Sequence, residues 1–291
     1  MSGMQANEVR YADVGTVRLA YERFGTAGDP AVLLVMGQGT QMLAWPDGLC
    51  RALAERGLYV VRFDNRDTGL STHLRRGPLA LSPYTLDDLT SDTLGLMDAL
   101  EMRSAHLVGI SMGAMIAQLL AIRHPARVLS LTCIASSTGS RRAGVPRASL
   151  LRRIPLRRNV SDRDGAGEIF ARVLQAIGSP AYPIDVEQLR TLGSRCYDRG
   201  YDRRGSLRHL FAVLRAADRT PALRQLRVPA LVVHGAADPL VSVSGGRALA
   251  AAIPGARFVT VPGMGHDLPP QLWPLLVDEI HAVVVRGSLP R

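Results

Sequence analysis

The sequence predicts an α/β protein in which a mostly parallel central sheet is flanked by helices and carries an inserted helical cap. Over most of the chain, short β-rich runs alternate with stretches of helical periodicity, which is the pattern of βαβ units. The alternation stops between Gly139 and Gln225, where Arg-rich amphipathic stretches are broken by prolines. With 291 residues, 47% of them apolar, the chain can bury one sizeable core that holds such an insertion.

Each predicted element follows from its residue pattern. Runs rich in apolar and β-branched residues predict seven strands, in chain order Val17–Phe24, Ala31–Met36, Leu58–Phe63, Ala105–Ile110, Val128–Ala135, Ala230–His234 and Arg257–Val261. Apolar residues at helical spacing predict five helices between them, Gln41–Arg56, Leu86–Leu100, Met112–His124, Ser244–Ile253 and Gln271–Arg286. A capping box of Thr85 and Asp88 begins the second of these helices, and Pro125 follows the third.

The segment from 139 to 225, called the cap segment below, lies between two predicted strands. We therefore expect it to be an insertion in a core made of residues 1–138 and 226–291. The cap segment also holds the charge excess, because its 18 arginines and 8 acidic residues account for the whole net charge of +10. Such a concentration of charge attracts nucleic acids, anionic membranes, acidic proteins or anionic substrates. Few aromatic residues interleave with these arginines, so we expect no nucleic-acid binding.

Composition gives further expectations about location and cofactors. The first ten residues lack the apolar stretch of a secretory signal, and the apolar run Ala31–Met36 is too short to span a membrane. We therefore expect a cytoplasmic protein without a membrane span. Three cysteines without Cys-x-x-Cys spacing, Cys50, Cys133 and Cys196, are typical of buried thiols. The sequence has no His-Glu-x-x-His or Walker A motif, so we expect neither a metal nor a nucleotide cofactor.

The first chemical motif is a Gly-x-Ser-x-Gly at residues 109–113. A bare motif of this kind arises by chance in a Gly-rich chain, but here it joins the predicted strand ending at Ile110 to the helix beginning at Met112. A serine on such a sharp turn stands exposed beside the helix N-terminus, and the turn has room only for very small flanking residues. This setting predicts Ser111 as a nucleophile, with Gly109 and Gly113 required by the turn.

A serine becomes nucleophilic when a histidine accepts its proton and a carboxylate orients that histidine. After a strand–Ser–helix turn the expected chain order is serine, acid, histidine. Asp238 follows the predicted strand Ala230–His234, and His266 follows the strand that ends at Val261. We expect these two residues to be the orienting acid and the base, with glycines 263 and 265 giving a flexible histidine loop. The alternatives are an aspartate that forms a turn and a surface histidine.

The oxyanion of the reaction needs two positioned N–H donors. The N–H of Met112, directly after the nucleophile, is one candidate, and the N–H of Gln38 in the loop after the strand Ala31–Met36 is the other. Glycines 37 and 39 also begin like a dinucleotide-binding fingerprint. That interpretation fails because the third glycine would fall at Met42.

Several separated motifs together resemble the α/β-hydrolase-fold serine esterases, in the branch of aclacinomycin methylesterase and actinobacterial carboxylesterases. The motifs are Val35-Met36-Gly37-Gln38-Gly39, Trp45-Pro46-Asp47, the run from Phe63 to Ser71, the serine turn and the Gly-Met-Gly-His loop. The resemblance covers essentially the whole core, and it implies the same five roles for Ser111, Asp238, His266, Gln38 and Met112. Many family members have His-Gly where this chain has Met36-Gly37.

Other polar or aromatic residues near these motifs have competing interpretations. Asp64, Arg66, Asp67 and Ser71 suggest a loop held by buried ion pairs rather than a second charged site. His234 lies on an apolar strand and is expected to be a core residue. Trp45 either lines a substrate pocket or packs against the helix that follows it.

The function expected from these residues is hydrolysis of a small-molecule carboxylic ester through an acyl-enzyme. A thioesterase, a lactonase or a non-hydrolytic protein of the same fold are the alternatives. Arginines of the cap segment give a further hypothesis, in which they steer an anionic lipid or acyl carrier toward the site, and the alternative is a solvated surface. These arginines are Arg141, Arg142, Arg147, Arg152, Arg153, Arg157 and Arg158.

Overall fold

The computed structural model describes residues 8–74, 84–148, 150, 160 and 162–289. Its eight strands form one sheet in the order β1-β2-β4-β3-β5-β6-β7-β8. They are β1 Arg10–Val14, β2 Val17–Phe24, β3 Ala31–Val35, β4 Tyr59–Phe63, β5 Ala105–Ile110, β6 Val128–Ile134, β7 Ala230–Gly235 and β8 Arg257–Val261. The helices are α1 Asp47–Ala54, α2 Leu86–Ala99, α3 Met112–Arg123, α4 Arg163–Ile177, α5 Val186–Asp198, α6 Arg203–Leu214, α7 Thr220–Leu223, α8 Val243–Ala252 and α9 Trp273–Ser288.

The predicted α/β class is confirmed, because the sheet is parallel from β4 to β8 and covered on both faces. Every residue of β4, β5 and β7 is buried, as expected for parallel strands between two helical layers. One apolar cluster joins the sheet to α2, α3 and α8, and the other joins it to α1 and α9. No helix in the described part of the chain is long and apolar enough to cross a membrane.

The sequence missed β1 and misjudged one helix. β1 is an edge strand that pairs antiparallel with β2 and buries only Ala12 and Val14, so its apolar pattern is too sparse to predict a strand. The helix predicted over Gln41–Arg56 is divided into a 3₁₀ turn at Met42–Ala44 and α1. Pro46 causes the break, since the residue before a proline is held in extended backbone.

The chain leaves the sheet after β6 and returns to it at β7, the neighbouring strand. The four helices α4 to α7 lie between these two strands in sequence. This topology supports our proposal that residues 139–225 form a cap on a core of residues 1–138 and 226–291.

Buried ion pairs hold the loop after β4, as predicted. Arg66 donates two hydrogen bonds of 2.5 Å to Asp92 of α2. Two other pairs join this loop to the cap segment: Arg199 lies 2.7 Å from Asp64, and Arg208 donates two 2.7 Å bonds to Asp67. Asp64 and Asp67 are almost completely buried. Removing either arginine would leave an uncompensated charge, which costs about 3–5 kcal/mol.

Burial affects all three cysteines. Cys50 and Cys133 are buried thiols as predicted, whereas Cys196 is half-buried, and burial raises the pKa of each to about 12.

Asp67, His73 and Asp202 lie close enough together to resemble a metal site. The guanidinium of Arg208 donates to both of these carboxylates and already supplies their positive charge.

Candidate active site

The register of the parallel strands brings the predicted site residues to one edge of the sheet. Val35 of β3 pairs with Gly109 of β5, so the loops that follow these strands emerge side by side. Gly235 of β7 pairs with Val261 of β8, which does the same for the loops that carry Asp238 and His266. All four loops lie at the carboxyl edge, where α/β sheets bind their ligands.

Ser111 occupies the sharp turn between β5 and α3. Its φ of 55° and ψ of −119° are rare for a residue with a side chain and cost about 1–3 kcal/mol. Neighbouring groups hold this backbone in place, since its N–H donates to Ile134 O at 2.9 Å and its carbonyl accepts from Ser136 Oγ at 2.8 Å. The side chain makes no capping bond to α3, which leaves the hydroxyl available for another partner.

The two glycines of the turn are required by space. A Cβ at Gly109 would lie 2.5 Å from the backbone nitrogen of Ala114, and a Cβ at Gly113 would lie 2.0 Å from the carbonyl oxygen of Val35. Both contacts are with backbone atoms that cannot move aside. These distances support our proposal that the tight approach of strand and helix requires glycine at both positions.

Gly113→Ala is expected to destabilise the protein by about 3 kcal/mol or more, since the added methyl group overlaps a strand backbone. Gly57→Ala is the control for an added methyl group that meets no neighbour, because Gly57 has open space around it and a positive φ of 73°, whereas Gly113 lies in the first turn of α3. Its cost is limited to about 1–2 kcal/mol of backbone strain. Urea unfolding of both variants measures the difference, and equal stabilities would contradict the steric account.

Asp238 is fully buried in the turn after β7, and its two oxygens have different partners. Oδ1 accepts hydrogen bonds from the N–H groups of Leu240 at 2.8 Å and Val241 at 2.9 Å. Oδ2 lies 2.7 Å from Nδ1 of His266. A carboxylate accepts only, so Nδ1 of His266 carries the proton and Nε2 is left with its lone pair.

His234 supports this turn, a contact that the sequence did not reveal. The residue is a core histidine, as predicted, and burial lowers its pKa. Its Nε2 lies 2.8 Å from Val241 O and 3.6 Å from Asp238 Oδ2. The neutral ring thus donates to the carbonyl of a residue whose N–H holds Asp238.

The histidine loop is held by the end of α4, contrary to the expected flexibility. The N–H of His266 donates to Ile177 O, and that of Gly265 donates to Ser179 Oγ, both at 2.8 Å. Asp267 accepts from the N–H and the hydroxyl of Ser179. A Cβ at Gly265 would lie 2.2 Å from Gly178 O, so this glycine allows close packing rather than motion.

The two proposed oxyanion donors belong to segments that adjoin Ser111. Met112 is the first residue of α3, where a backbone N–H has no partner inside the helix. The loop that carries Gln38 passes close to the serine, since a Cβ added to Gly37 would lie 3.3 Å from Ser111 Cβ. The structure thus brings Asp238 and His266 into contact and places the Gly37 loop against Ser111, while the roles of these residues remain our proposal.

His209 of α6 is a second residue near the site that the sequence did not reveal. Its Nδ1 lies 3.0 Å from the Gly39 nitrogen, and its Nε2 lies 2.9 Å from Arg66 O. The ring is fully buried and meets the ring of Tyr84 edge-on. Burial lowers its pKa to about 4, Asp67 opposes this effect, and the arginines nearby add to it.

The free energy of unfolding is expected to fall as the pH drops from about 6.5 to about 4. A histidine whose pKa is lowered by folding binds its proton more readily in the unfolded chain, so acid favours unfolding over this window. The contribution of His209 is on the order of 3 kcal/mol. Urea unfolding at both ends of the window should show a smaller decrease for His209→Asn than for the wild type. Equal decreases would exclude this assignment.

A separate Ser–His pair lies at the opposite edge of the sheet. Ser130 Oγ is 2.8 Å from Nδ1 of His106, and Ser288 Oγ is 3.3 Å from its Nε2. His106 therefore has a serine hydroxyl at both ring nitrogens instead of an orienting carboxylate. This arrangement stabilises the core and lacks the acid–base polarity of the Asp238–His266 pair.

Trp45 was expected either to line a substrate pocket or to pack against the helix that follows it. Trp45 is fully buried in the apolar cluster that contains Leu49 of α1, which favours the packing interpretation over a pocket wall.

Among the arginines of the steering hypothesis, Arg141 and Arg142 are exposed, while Arg147 donates to Ala236 O at 3.0 Å beside the Asp238 turn. The other arginines of the steering hypothesis, Arg152, Arg153, Arg157 and Arg158, lie outside the described residues, and steering stays a prediction.

Comparisons with known proteins agree with this architecture. A family model of the α/β hydrolase fold matches residues 30–270. Rhodomycin D methylesterase of Streptomyces sp. strain C5 is 31% identical over 274 residues, covering 87% of this chain and 90% of the methylesterase. The 3-oxoadipate enol-lactonase 2 of Acinetobacter baylyi is 27% identical over 80% of each chain. Among solved structures, an enol-lactonase of Burkholderia xenovorans matches 95% of this chain and its own full length, with a TM-score of 0.76 and 27% identity.

Proposed function

The chain belongs to the α/β hydrolase fold family, and from this membership we propose that it hydrolyses a small-molecule carboxylic ester through an acyl-enzyme on Ser111. The observation that carries the proposal is that the two carboxylate oxygens of Asp238 have different hydrogen-bond partners. Oδ1 is held by two backbone N–H groups, so Oδ2 has a fixed direction toward Nδ1 of His266. This contact selects the tautomer that a general base requires.

The proposed reaction begins with attack of Ser111 Oγ on the ester carbonyl carbon. Nε2 of His266 takes the hydroxyl proton, and the carbonyl π electrons move to the oxygen. The N–H groups of Gln38 and Met112 stabilise that oxyanion, and loss of one such donor costs about 10²–10³-fold in rate. Asp238 stabilises the imidazolium that forms.

The tetrahedral intermediate then collapses, and its carbon–oxygen bond to the alcohol breaks. His266 returns its proton to the leaving alkoxide, which departs as the alcohol and leaves an acyl group on Ser111. Water attacks this acyl-enzyme while His266 accepts one of the water protons. The acid is released, and the serine recovers its proton.

The relatives favour two ester classes. The 31% identical methylesterase supports a methyl ester, for which methanol would be the leaving group. The enol-lactonases, at 27% identity in both comparisons, support a cyclic ester as the second candidate. Ring opening would use the same residues, but the alcohol would remain attached to the acyl group.

A substrate panel tests the proposal and separates its variants. The wild type would be assayed with p-nitrophenyl esters from acetate to palmitate, methyl esters of carboxylic acids of increasing size, enol-lactones and acyl thioesters. We expect turnover of acyclic esters, and the best chain length indicates the space beside Ser111. A preference for lactones would favour the second candidate. If no member of the panel were hydrolysed, the esterase proposal would be wrong.

A further inference from the structure

Helix α6 of the cap segment contacts the loop that carries the proposed oxyanion donor at two consecutive residues. The Gln38 side chain donates from Nε2 to Ser206 O at 3.1 Å. The backbone N–H of Gly39 donates to Nδ1 of His209 at 3.0 Å. The approach is close, since a Cβ at Gly39 would lie 2.2 Å from Ser206 Oγ. This part of the cap segment therefore lies directly against the loop.

The hydrogen bonds of His209 fix its protonation and orientation. The carbonyl of Arg66 only accepts, so Nε2 is the nitrogen that carries the proton. Nδ1 then carries no proton, so it can accept the hydrogen bond that the N–H of Gly39 donates. Burial keeps the ring neutral at physiological pH, because its pKa is about 4. The imidazole thus bridges two loops of the core, one after β3 and one after β4.

The bridge restricts the peptide unit next to the proposed donor. Thr40 Oγ1 donates to the Gln38 carbonyl at 3.1 Å, and His209 accepts from the N–H at the other end of the same peptide unit. Because the peptide unit is planar, hydrogen bonds at its carbonyl and at its N–H together oppose its rotation. The Gly37–Gln38 peptide, which carries the proposed donor, shares the Gln38 α-carbon with this fixed unit.

We propose that His209 is a positioning residue for the oxyanion hole, acting from the cap segment through Gly39 to aim the N–H of Gln38 at the reacting oxygen. The inference rests on the proposed function, because it needs Gln38 to be an oxyanion donor. The cap segment also docks onto the loop after β4 through the ion pairs of Arg199 with Asp64 and of Arg208 with Asp67, which do not involve Gly39.

Two amide substitutions separate the two hydrogen bonds of the ring. In His209→Asn the side-chain oxygen can take the place of Nδ1 and keep the contact to Gly39. In His209→Gln the amide reaches the place of Nε2 and keeps the contact to Arg66 O. Because His209 orients the N–H of Gln38, we expect H209Q to lower kcat by about 10- to 100-fold and to keep KM within about 3-fold of the wild-type value. H209N should keep kcat within about 3-fold of the wild type. His209→Met keeps the side-chain volume but makes neither hydrogen bond, so its kcat should fall by the same factor as that of H209Q. This variant replaces H209Q in the test if H209Q does not fold.

Affinity for an alkyl boronic acid gives a second readout, since its tetrahedral adduct on Ser111 places an oxygen in the hole. We expect H209Q to weaken this affinity by about the same factor as kcat. Leu96→Ala is the control for stability, because Leu96 is a fully buried core residue of α2. It should unfold more easily but keep the wild-type kcat per folded molecule.

The outcomes separate this inference from the proposed function. Wild-type turnover with an unchanged kcat in H209Q would overturn the inference and leave the esterase intact. Equal losses in H209N and H209Q, without weaker boronate binding, would assign His209 to docking alone and would also overturn it. A wild type that hydrolyses no substrate of the panel would instead overturn the proposed function, and this inference with it.

Discussion

Replacing Ser111 by alanine is expected to lower kcat/KM for esters by at least about 10³-fold, because the variant has no group that can form the acyl-enzyme. The fold should survive the change. Alanine and serine have the same Cβ at the strained φ of 55°, and the serine hydroxyl makes no capping bond to α3. We therefore expect the free energy of unfolding to change by no more than about 0.5 kcal/mol.

Ser130→Ala is the matched control for this experiment. Ser130 is a buried serine that lies within hydrogen-bond distance of a histidine, and it stands at the opposite edge of the sheet from Ser111. Losing its hydrogen bond to His106 should cost about 1 kcal/mol of stability and leave kcat/KM unchanged. Retention of full activity by the Ser111 variant, or an equal loss in both variants, would contradict the assignment of the nucleophile.

Asp238→Asn is expected to lower kcat by about 10⁴-fold through the wrong tautomer of His266. The place of Oδ1 must be taken by an acceptor, because two backbone N–H groups point at it. The amide oxygen fills that place, and the amide NH₂ then faces Nδ1 of His266. Nδ1 becomes the acceptor, so the ring proton moves to Nε2. A base that is already protonated there cannot accept the proton of Ser111.

The tautomer can be observed directly by ¹⁵N NMR of the imidazole, alongside steady-state kinetics. The wild type should show a protonated Nδ1, and the variant should show a protonated Nε2. Glu22→Gln is a suitable control, since Glu22 of β2 is a buried carboxylate that pairs with Arg62 of β4 and not with His266. It should lower stability without changing kcat. If Asp238→Asn kept the wild-type tautomer but still lost activity, the tautomer argument would fail.

The elements that the sequence predicted well depend on local rules. The turn at Ser111 was predicted from the size limits on Gly109 and Gly113, and the added-Cβ distances show little space at both positions. Asp238 and His266 could be predicted to meet because both directly follow parallel strands, and such strands end at one edge of a sheet. The edge strand β1 was missed because only two of its residues are buried.

Contacts from the cap segment to the site could not be predicted from the sequence. His209 meets Gly39 across 170 positions of the chain, and Ser179 meets Gly265 across 86. Gly39 and Gly265 lie in motifs, but nothing in the sequence pattern joins them to His209 and Ser179, so only the folded chain brings each pair together. The same packing explains why Gly265 was misjudged: its missing side chain makes room for the end of α4, which no local rule reveals.

The central claim is that Ser111 carries the acyl group, and trapping the nucleophile tests it most directly. The wild type would be treated with a p-nitrophenyl alkylphosphonate, digested and mapped by mass spectrometry. We predict one phosphonate per chain, on the peptide that contains Ser111, with loss of esterase activity in proportion to labelling. Loss of activity with the phosphonate on another residue, or unlabelled protein that still hydrolyses esters in the presence of the reagent, would contradict the mechanism.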